Sequence, residues 1–218
     1  MSKEISKITA CLLWEVGAIK VSDVEPFRLT SGNMSPVYID CRKLISYPVA
    51  RDLVTSFAFW TYDKEKLQAD YVAGGETAGI PYASWLAAKL NRPFVYVRKE
   101  PKGHGTGAQI EGDLIPGSMV LLYEDLITDG RSKLSFVEGI RRAECTVKDC
   151  LVVFDRLQGG TEELAVQGVR LYALTDMQVT LCAGVEEGYA TKEDFESIAQ
   201  YLEDPKLWHV RRGFEFRD

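Results

Sequence analysis

The stretch VLLYEDLITDGRSK, residues 120–133, decides the fold class of this chain. It opens with an apolar run that has the composition of a buried β-strand, and the run leads into two adjacent carboxylates, Glu124 and Asp125. A loop with one glycine follows at residues 128–132, and the apolar spacing behind it predicts a helix over residues 132–143. A strand, a loop and a helix in this order are typical of an α/β protein.

The same order recurs along the middle of the chain. Near-continuous apolar strands alternate with helices, a pattern that favours a parallel sheet with helices on both faces. The predicted strands are Tyr71–Ala73, Phe94–Arg98, Met119–Tyr123, Leu151–Phe154 and Val169–Thr175, and the predicted helices are Ile80–Leu90 and Ser132–Ala143. Because crossovers between parallel strands are right-handed, the loops after these strands should gather at one sheet edge, where such sheets bind ligands.

Different patterns flank this alternation. The elements predicted there are a helix that ends near Gly17, a strand at Val37–Asp40, a helix at Arg51–Trp60, and a helix that begins with a capping box at residues 191–194. We therefore expect one compact unit with three parts, which are an N-terminal segment (residues 1–68), a core (69–176) and a C-terminal helical extension (177–218).

Composition excludes several classes of protein. The 218 residues carry a net charge of -6 without a basic block, which disfavours nucleic acid as a partner. The five cysteines have no C-x-x-C spacing and there are only two histidines, so a zinc site is not expected. No apolar run reaches membrane-spanning length and the N-terminus is polar. We expect a cytoplasmic protein that binds no membrane.

The loop at residues 128–132 suits a phosphate. A glycine-bearing loop at a helix N-terminus points backbone N–H groups outward, and the helix dipole adds partial positive charge. Thr128 and Ser132 can add hydroxyl donors, while Glu124 and Asp125 can accept hydrogen bonds from sugar hydroxyls and favour an oxocarbenium-like centre. The alternative is a strand end with two solvated acids before an ordinary capped helix.

Two further loops follow predicted strands. The sequence GGETAG at residues 74–79 lets backbone approach a ligand, or is only a tight connection; it lacks the lysine of a P-loop and the spacing of a dinucleotide-binding motif. The segment at residues 98–107 concentrates Arg98, Lys99, Lys102 and His104 among glycines and a proline. Such a segment suits a lid over a polyphosphate, with a solvated surface loop as the alternative.

These residues together resemble a known family. An apolar strand followed by EDLITDGRS resembles the phosphoribosyl diphosphate (PRPP) signature of type I phosphoribosyltransferases. The sequence RKEPKGHG at residues 98–105 is similar to the catalytic loop of the orotate phosphoribosyltransferase family, and LTSGNMSPVYID at residues 29–40 to its base-binding segment. FDR at residues 154–156 is similar to the strand whose arginine binds orotate in that family. The resemblance extends from about Phe27 to Arg156.

The resemblance implies a fold, a reaction and partners. The fold is that of type I phosphoribosyltransferases, a central parallel sheet flanked by helices with a small hood formed mainly by the N-terminal segment. The reaction joins orotate and PRPP to give orotidine 5′-monophosphate and pyrophosphate, a step of pyrimidine biosynthesis. Mg²⁺ is the implied cofactor, held mainly by PRPP and water, and a homodimer with shared active sites is the implied assembly.

The resemblance also assigns site residues by position. Catalytic roles fall on Lys102, His104, Glu124 and Asp125. PRPP-binding roles fall on Arg98, Lys99, Glu124, Asp125, Thr128, Gly130, Arg131, Ser132, Gly75, Glu76 and Thr77. Orotate-binding roles fall on Arg156, Tyr38, Ser31 and Thr128.

The chain departs from the family pattern at several positions. Glu76-Thr77 stands where many members have a lysine, Thr30 where some have a lysine, and Asn33-Met34 where a basic pair is frequent. Asp129 replaces a small residue, and we predict that its side chain turns toward Arg131 or Lys133 and leaves its backbone N–H to the phosphate. Three alternatives stay open, which are transfer to another nucleobase, a non-catalytic PRPP sensor and a catalytically weakened relative.

Overall fold

The computed structural model describes residues 2–29, 32–100 and 109–217. The strands are β1 (Ile19–Val21), β2 (Phe27–Arg28), β3 (Met34–Ser35), β4 (Val37–Ile39), β5 (Tyr71–Gly75), β6 (Phe94–Val97), β7 (Ile110–Glu111), β8 (Met119–Ile127), β9 (Thr146–Asp155) and β10 (Arg170–Asp176). The helices are α1 (Lys3–Glu15), a 3₁₀ helix (Cys41–Ser46), α2 (Pro48–Lys64), α3 (Gly79–Leu90), α4 (Arg131–Arg142), α5 (Gly160–Val166), α6 (Met177–Glu186), α7 (Lys192–Glu203) and α8 (Pro205–Arg211).

The central sheet confirms the predicted architecture. Its strand order is β10-β9-β8-β5-β6-β7, and every pairing is parallel except that of β7, which runs antiparallel to β6 at the edge. The long apolar strands β8 and β9 are neighbours in the middle of the sheet, where burial on both faces explains their continuous hydrophobic sequence.

Strand β8 is longer than predicted. The expected end at Tyr123 is wrong, because β8 continues through both acids to Ile127 and pairs with β9 as far as Asp155. Leu126 and Ile127 continue the ladder, so the strand passes through the charged positions and ends directly at the loop. The acids are therefore part of the sheet and their side chains leave its two faces alternately.

Each face of the sheet has its own core. Leu121 and Tyr123 of β8 pack in one cluster with side chains of α1, α2 and α3. Val120 and Leu122, which point to the opposite face, pack in a second cluster with side chains of α4 and α5. This alternation fixes β8 and α4 relative to each other, and thereby the loop that joins them.

The segments outside the central sheet lie at the two ends of the chain. Strand β1 pairs with β4 and β2 pairs with β3, each in a small antiparallel sheet. The predicted first helix and the capping box of α7 are confirmed, whereas α6 and α8 were not predicted. Across residues 2–29, 32–100 and 109–217, no helix combines the length and the hydrophobicity needed to cross a membrane. The division into three parts stays a prediction.

Candidate active site

The carboxyl ends of β5, β8 and β9 meet at one edge of the sheet. The N–H of Gly75, at the end of β5, donates to Glu124 Oε1 at 2.6 Å. The N–H of Arg156, just after β9, donates to the carbonyl of Ile127, the last residue of β8, at 3.0 Å. These two hydrogen bonds join the three strand ends, as the predicted parallel sheet requires.

Glu124 is buried inside this edge. Its residue is 3% exposed, and its Oε2 lies 3.2 Å from Nζ of Lys133, which is 7% exposed. Both carboxylate oxygens thus have partners, Gly75 on one side and Lys133 on the other. Contact of Glu124 with a ribose stays a prediction; each carboxylate oxygen has a second lone pair, so such a contact can be added to the two that are present.

Burial changes the acidity of both adjacent acids. It raises the pKa of Glu124 to about 7 against the opposing effect of Lys133. Burial also raises the pKa of Asp125, and here the charges of Lys133 and Arg42 and two backbone N–H groups act in the opposite direction. Asp125 is only partly buried, so its carboxylate is the more accessible of the two.

The β8–α4 loop, residues 128–130, leads directly into α4. Gly130 is the N-cap with φ of +80°, a conformation that favours glycine. The first intrahelical bond runs from the N–H of Leu134 to the carbonyl of Gly130 at 2.9 Å, so helix geometry leaves the preceding N–H groups outside the helical ladder. Thr128 contributes its carbonyl to the N–H of Gly160 at 3.1 Å, which connects the loop to α5.

The carboxylate of Asp129 contacts the side chain of Arg131, as the sequence predicted, and it also contacts the backbone of Arg131. Its Oδ2 lies 2.5 Å from Nε of Arg131, and its Oδ1 accepts from the backbone N–H of Arg131 at 3.1 Å. The prediction that Asp129 turns to Arg131 is confirmed. The carboxylate also uses one amide of the loop, which was not expected, because an aspartate readily accepts from the N–H two residues ahead.

The β5–α3 loop, residues 76–78, is built closely against its surroundings. A β-carbon on Gly75 would overlap the ring of Phe136, and one on Gly79 would overlap Glu124 Oε1. The peptide bond between Glu76 and Thr77 is cis. The carboxylate of Glu76 accepts from the N–H of Lys99 at 3.1 Å.

The cationic segment begins at the same edge. Nη1 of Arg98 lies 3.4 Å from Glu111 Oε1, and the side-chain amide of Gln109 donates to the carbonyl of Arg98 at 2.8 Å. The predicted catalytic residues Lys102 and His104 lie outside the described residues. So do Thr30 and Ser31 of the base-binding segment.

Arg156 combines burial with an unused donor. Its Nε is buried and has no hydrogen-bond partner within residues 2–29, 32–100 and 109–217. Burial lowers the pKa of the guanidinium, since the charge is removed from water. The charge of Arg156 and that of Asp125 both act on the thiol of Cys41, so the two residues share this region of the molecule.

Tyr38 and Arg42 lie on the N-terminal side of this region. Tyr38, on β4, is partly buried, and its ring centroid is 5.9 Å from that of Phe27. Arg42 donates from Nε to Asp40 at 2.6 Å, and its charge opposes the rise that burial causes in the pKa of Asp125. The sequence analysis did not single out Arg42, and no motif marks it.

Lys133 was also missed, although a signal was present. It lies on the stripe formed by Phe136, Val137 and Ile140, which are three, four and seven positions further along α4 and are all buried. A cation on the apolar face of a helix must reach an acid or water. Its partner is Glu124, nine residues earlier in the sequence.

Comparisons with known proteins agree with this geometry. The phosphoribosyl transferase domain family matches residues 47–171. An orotate phosphoribosyltransferase of Rhizobium johnstonii is 41% identical over 211 residues, which cover 96% of this chain and 92% of the relative.

Two solved structures extend the comparison. The UMP synthase of Leishmania donovani superposes with a TM-score of 0.79 at 27% identity, covering 92% of this chain and 43% of that longer protein. The orotate phosphoribosyltransferase of Aeropyrum pernix superposes with a TM-score of 0.72 at 34% identity, covering 84% of this chain and 99% of that protein. The predicted fold class is thereby confirmed, and the chain belongs to the orotate phosphoribosyltransferase family.

Proposed function

We propose that the protein transfers the 5-phosphoribosyl group of PRPP to a ring nitrogen of orotate, giving orotidine 5′-monophosphate and pyrophosphate. Membership of the family supports the reaction, because the relatives that match almost the whole chain have this name. The sheet edge also has N–H and cationic groups at two loops, which favours a substrate such as PRPP that is anionic at both ends.

The buried Nε of Arg156 carries the assignment of the base. A guanidinium that is largely removed from water and keeps a free donor in the described part of the chain gains most from a planar anion. Orotate carries a carboxylate on a flat ring and can accept two parallel hydrogen bonds from the guanidinium. A neutral purine offers no such partner.

The β8–α4 loop is our proposed site for the 5′-phosphate. The N–H groups of Gly130, Ser132 and Lys133 precede the first intrahelical bond of α4, and the dipole of α4 favours a negative charge there. Thr128 and Ser132 add hydroxyl groups, and the guanidinium of Arg131 lies at the same helix end. PRPP bound in this way would have its ribose beside Asp125.

Asp125 is our proposed contact for the ribose hydroxyls. As the bond from C1′ to pyrophosphate lengthens, positive charge grows on the ribose ring, and a fixed carboxylate stabilises it in a site of low dielectric constant. Glu124, whose pKa burial raises to about 7, contributes a partial negative charge from the other face of the sheet, and the charge of Lys133 partly compensates it. The site thus favours the ribosyl cation over the intact substrate.

The leaving pyrophosphate is assigned to the β5–α3 loop, with Gly75, Glu76 and Thr77, and to Arg98 and Lys99 beside it. Phosphate oxygens and water are suitable ligands for Mg²⁺, so the substrate itself would hold most of this ion. Bound Mg²⁺ would neutralise charge on the departing pyrophosphate. Because Glu76 replaces a cation, this chain depends more on Mg²⁺ and on the residues after Arg98 than a lysine-bearing relative does.

Correct placement of the two substrates is the main task of the site. The orotate nitrogen is a weak nucleophile, and fixing it against C1′ can contribute about 7–11 kcal/mol at best. Arg156 fixes the base from the end of β9, and the β8–α4 loop fixes the phosphate from the end of β8. Since these strands are neighbours, the sheet sets the distance between the two reactants.

One assay tests the reaction. Protein, Mg²⁺ and PRPP are mixed with orotate, and the loss of orotate absorbance is followed, with uracil, hypoxanthine and xanthine as control bases. We expect turnover of orotate alone. Turnover of another base without orotate would show a different phosphoribosyltransferase, and PRPP binding without any turnover would show a sensor.

Variants of Arg156 test the assignment of the base. Arg156→Lys retains the charge without the planar donor pair, and Arg156→Met removes both. We expect KM for orotate to rise in that order while KM for PRPP stays close to its original value. An unchanged KM for orotate in Arg156→Met would remove this residue from the base site.

We also propose a cytoplasmic homodimer in which Lys102 and His104 of one subunit act in the site of the other, as the resemblance implies. At an orotate concentration far below the raised KM of Arg156→Met, Lys102→Ala and Arg156→Met would each have little activity alone. After the two inactive variants are mixed and refolded together, we expect partial activity, because one site of a mixed dimer has both residues intact. No recovery, with mixed dimers present, would show that each subunit uses its own Lys102.

A further inference from the structure

The C-terminal end of the chain contacts the segment that resembles the family's base-binding segment. The N–H of Met34 donates to Nε2 of His209 at 3.0 Å. Asn33 Oδ1 accepts from the N–H of Arg217 at 2.8 Å, and Asn33 Nδ2 donates to the carbonyl of Arg217 at 2.9 Å. Residues 205–217, like residues 29–40, lie outside the match to the phosphoribosyl transferase domain, which covers residues 47–171.

His209 is fixed in one chemical form by its two partners. Nδ1 lies 2.6 Å from the carbonyl oxygen of Pro205, which can only accept, so Nδ1 carries the hydrogen. The amide of Met34 can only donate, so Nε2 must offer its lone pair. The neutral imidazole with hydrogen on Nδ1 is the form that satisfies both contacts.

Aromatic side chains surround this imidazole. The ring centroids of Trp208, Phe214, Phe216 and Tyr201 lie 5.3, 6.4, 5.1 and 6.3 Å from that of His209. His209 itself is 0% exposed. In the intact protein bulk water therefore does not compete for this contact, and loss of Nε2 would remove the partner of the Met34 N–H.

The hairpin of β2 and β3 transmits this contact to the base-binding segment. Met34 pairs with Arg28, and the N–H of Leu29 donates to the carbonyl of Asn33 at 2.8 Å, so His209 and Asn33 fix one end of the turn. The guanidinium of Arg217 packs on Gly32 so closely that a β-carbon there would lie 2.8 Å from Nη1. Residues 32–34 are thus supported by residues 209 and 217.

We propose that His209 is a positioning residue for the base, and that it acts with the backbone of Arg217 through Asn33 and Met34. The proposal rests on the proposed function, since it concerns the orotate side of that site. It predicts that KM for orotate depends on these contacts. KM for PRPP, which binds at the loops after β5 and β8, does not.

A matched pair of variants tests the contact. The side-chain amide of Gln reaches the place of Nε2 and can accept from Met34, whereas that of Asn reaches only the place of Nδ1. We expect His209→Asn to raise KM for orotate roughly three- to tenfold, as expected for one lost hydrogen bond, with KM for PRPP and kcat within about twofold. His209→Gln should remain closer to the original protein.

Shortening the chain tests the Arg217 contact without altering the buried His209. A chain that ends at Phe216 loses the Arg217 backbone, and a chain that ends at Arg217 is its control. We expect a higher KM for orotate in the first chain alone, with melting temperatures of both close to that of the original protein.

Other results would overturn the proposal. An unchanged KM for orotate in both His209→Asn and the shortened chain would do so, as would a parallel rise of both KM values, which indicates general loosening. Failure of the proposed function is a separate result, because it would appear as no orotate turnover by the unaltered protein.

Discussion

The β5–α3 and β8–α4 loops bracket the proposed PRPP site. At both loops a carboxylate binds a backbone N–H, but one carboxylate is buried and the other is exposed. In each, a carboxylate accepts from one backbone N–H of the loop region, Glu124 from Gly75 and Asp129 from Arg131. Each carboxylate also has a cationic partner. Glu124 and its partner Lys133 are buried, whereas the side chains of Asp129 and Arg131 are 44% and 88% exposed.

This difference in burial decides whether each carboxylate can exchange its hydrogen-bond partners. A buried pair cannot exchange its partners for water, so the β5–α3 side is fixed before any ligand arrives. An exposed pair exchanges partners at little cost, so the amide and the guanidinium of Arg131 are available to a phosphate once Asp129 releases them. The carboxylate of Glu124 therefore stabilises the structure, and that of Asp129 would compete with a phosphate bound at the proposed site.

The largest expected effect follows from removing the buried acid. Glu124→Leu leaves Lys133 without its partner in a buried site and should lower the free energy of unfolding by about 3–5 kcal/mol. Asp129→Leu, at an exposed pair, should cost no more than about 1 kcal/mol. Urea denaturation followed by tryptophan fluorescence measures both. Equal losses would remove the distinction between the loops.

A double variant separates the charge from the shape of the side chain. Glu124→Leu with Lys133→Met removes both charges, and we expect much of the lost stability to return. Additive losses would instead show that Glu124 acts through packing alone.

A glycine beside Glu124 gives the next largest effect. A β-carbon on Gly79 would overlap Glu124 Oε1, so Gly79→Ala should destabilise the protein by about 1–3 kcal/mol. The loss should shrink in a Glu124→Ala background, where the space is free. At Gly130 the nearest atoms are 3.4 Å away, so the cost of Gly130→Ala should come from its φ of +80° and should not depend on Asp129. Urea unfolding checks both expectations. It compares each glycine variant alone with Gly79→Ala in the Glu124→Ala background and with Gly130→Ala in an Asp129→Ala background.

The two acids should also respond to pH in opposite directions. The pKa of Glu124 is raised from 4.5 to about 7, so the folded protein binds an extra proton between these values. Stability should therefore fall as pH rises from about 4.5 to about 7, by at most about 1.4 kcal/mol per pH unit, and Glu124→Gln should flatten this slope. A slope that Glu124→Gln leaves unchanged would assign it to another group, such as Asp125.

Asp129 behaves in the usual way for an acid with a cationic partner. Burial alone would raise the pKa of Asp129, but hydrogen bonds from Arg131 lower it. Its contribution to stability is present above the pKa of the unfolded state and is lost as pH falls through the folded value. Asp129→Asn should therefore lower the free energy of unfolding by a constant amount at neutral pH, and this difference from the original protein should disappear as the pH falls into the acidic range.

Individual residues also show how much of the fold and of the site could be predicted from the sequence alone. Strand periodicity predicted β5, β8 and β9, because local apolar pattern decides which segments enter a parallel sheet. The end of β8 was predicted too early, because two adjacent acids at 124 and 125 are not expected inside a strand. The pairing of β8 with β9 nevertheless continues past them to Ile127. The contact of Met34 with His209 joins residues 175 positions apart, and no local pattern encodes such a pairing.

The smallest expected effect concerns the affinity for PRPP. Asp129→Ala frees the N–H and the guanidinium of Arg131, so KM for PRPP should fall, by roughly two- to fivefold, as expected for less than one hydrogen bond. Asp129→Asn should lie between, because its amide oxygen can still accept from the N–H of Arg131 but carries no charge. Steady-state kinetics at saturating orotate measures the change. A higher KM in Asp129→Ala would mean that the carboxylate organises the loop for PRPP, and both loops would then use their acids in the same way.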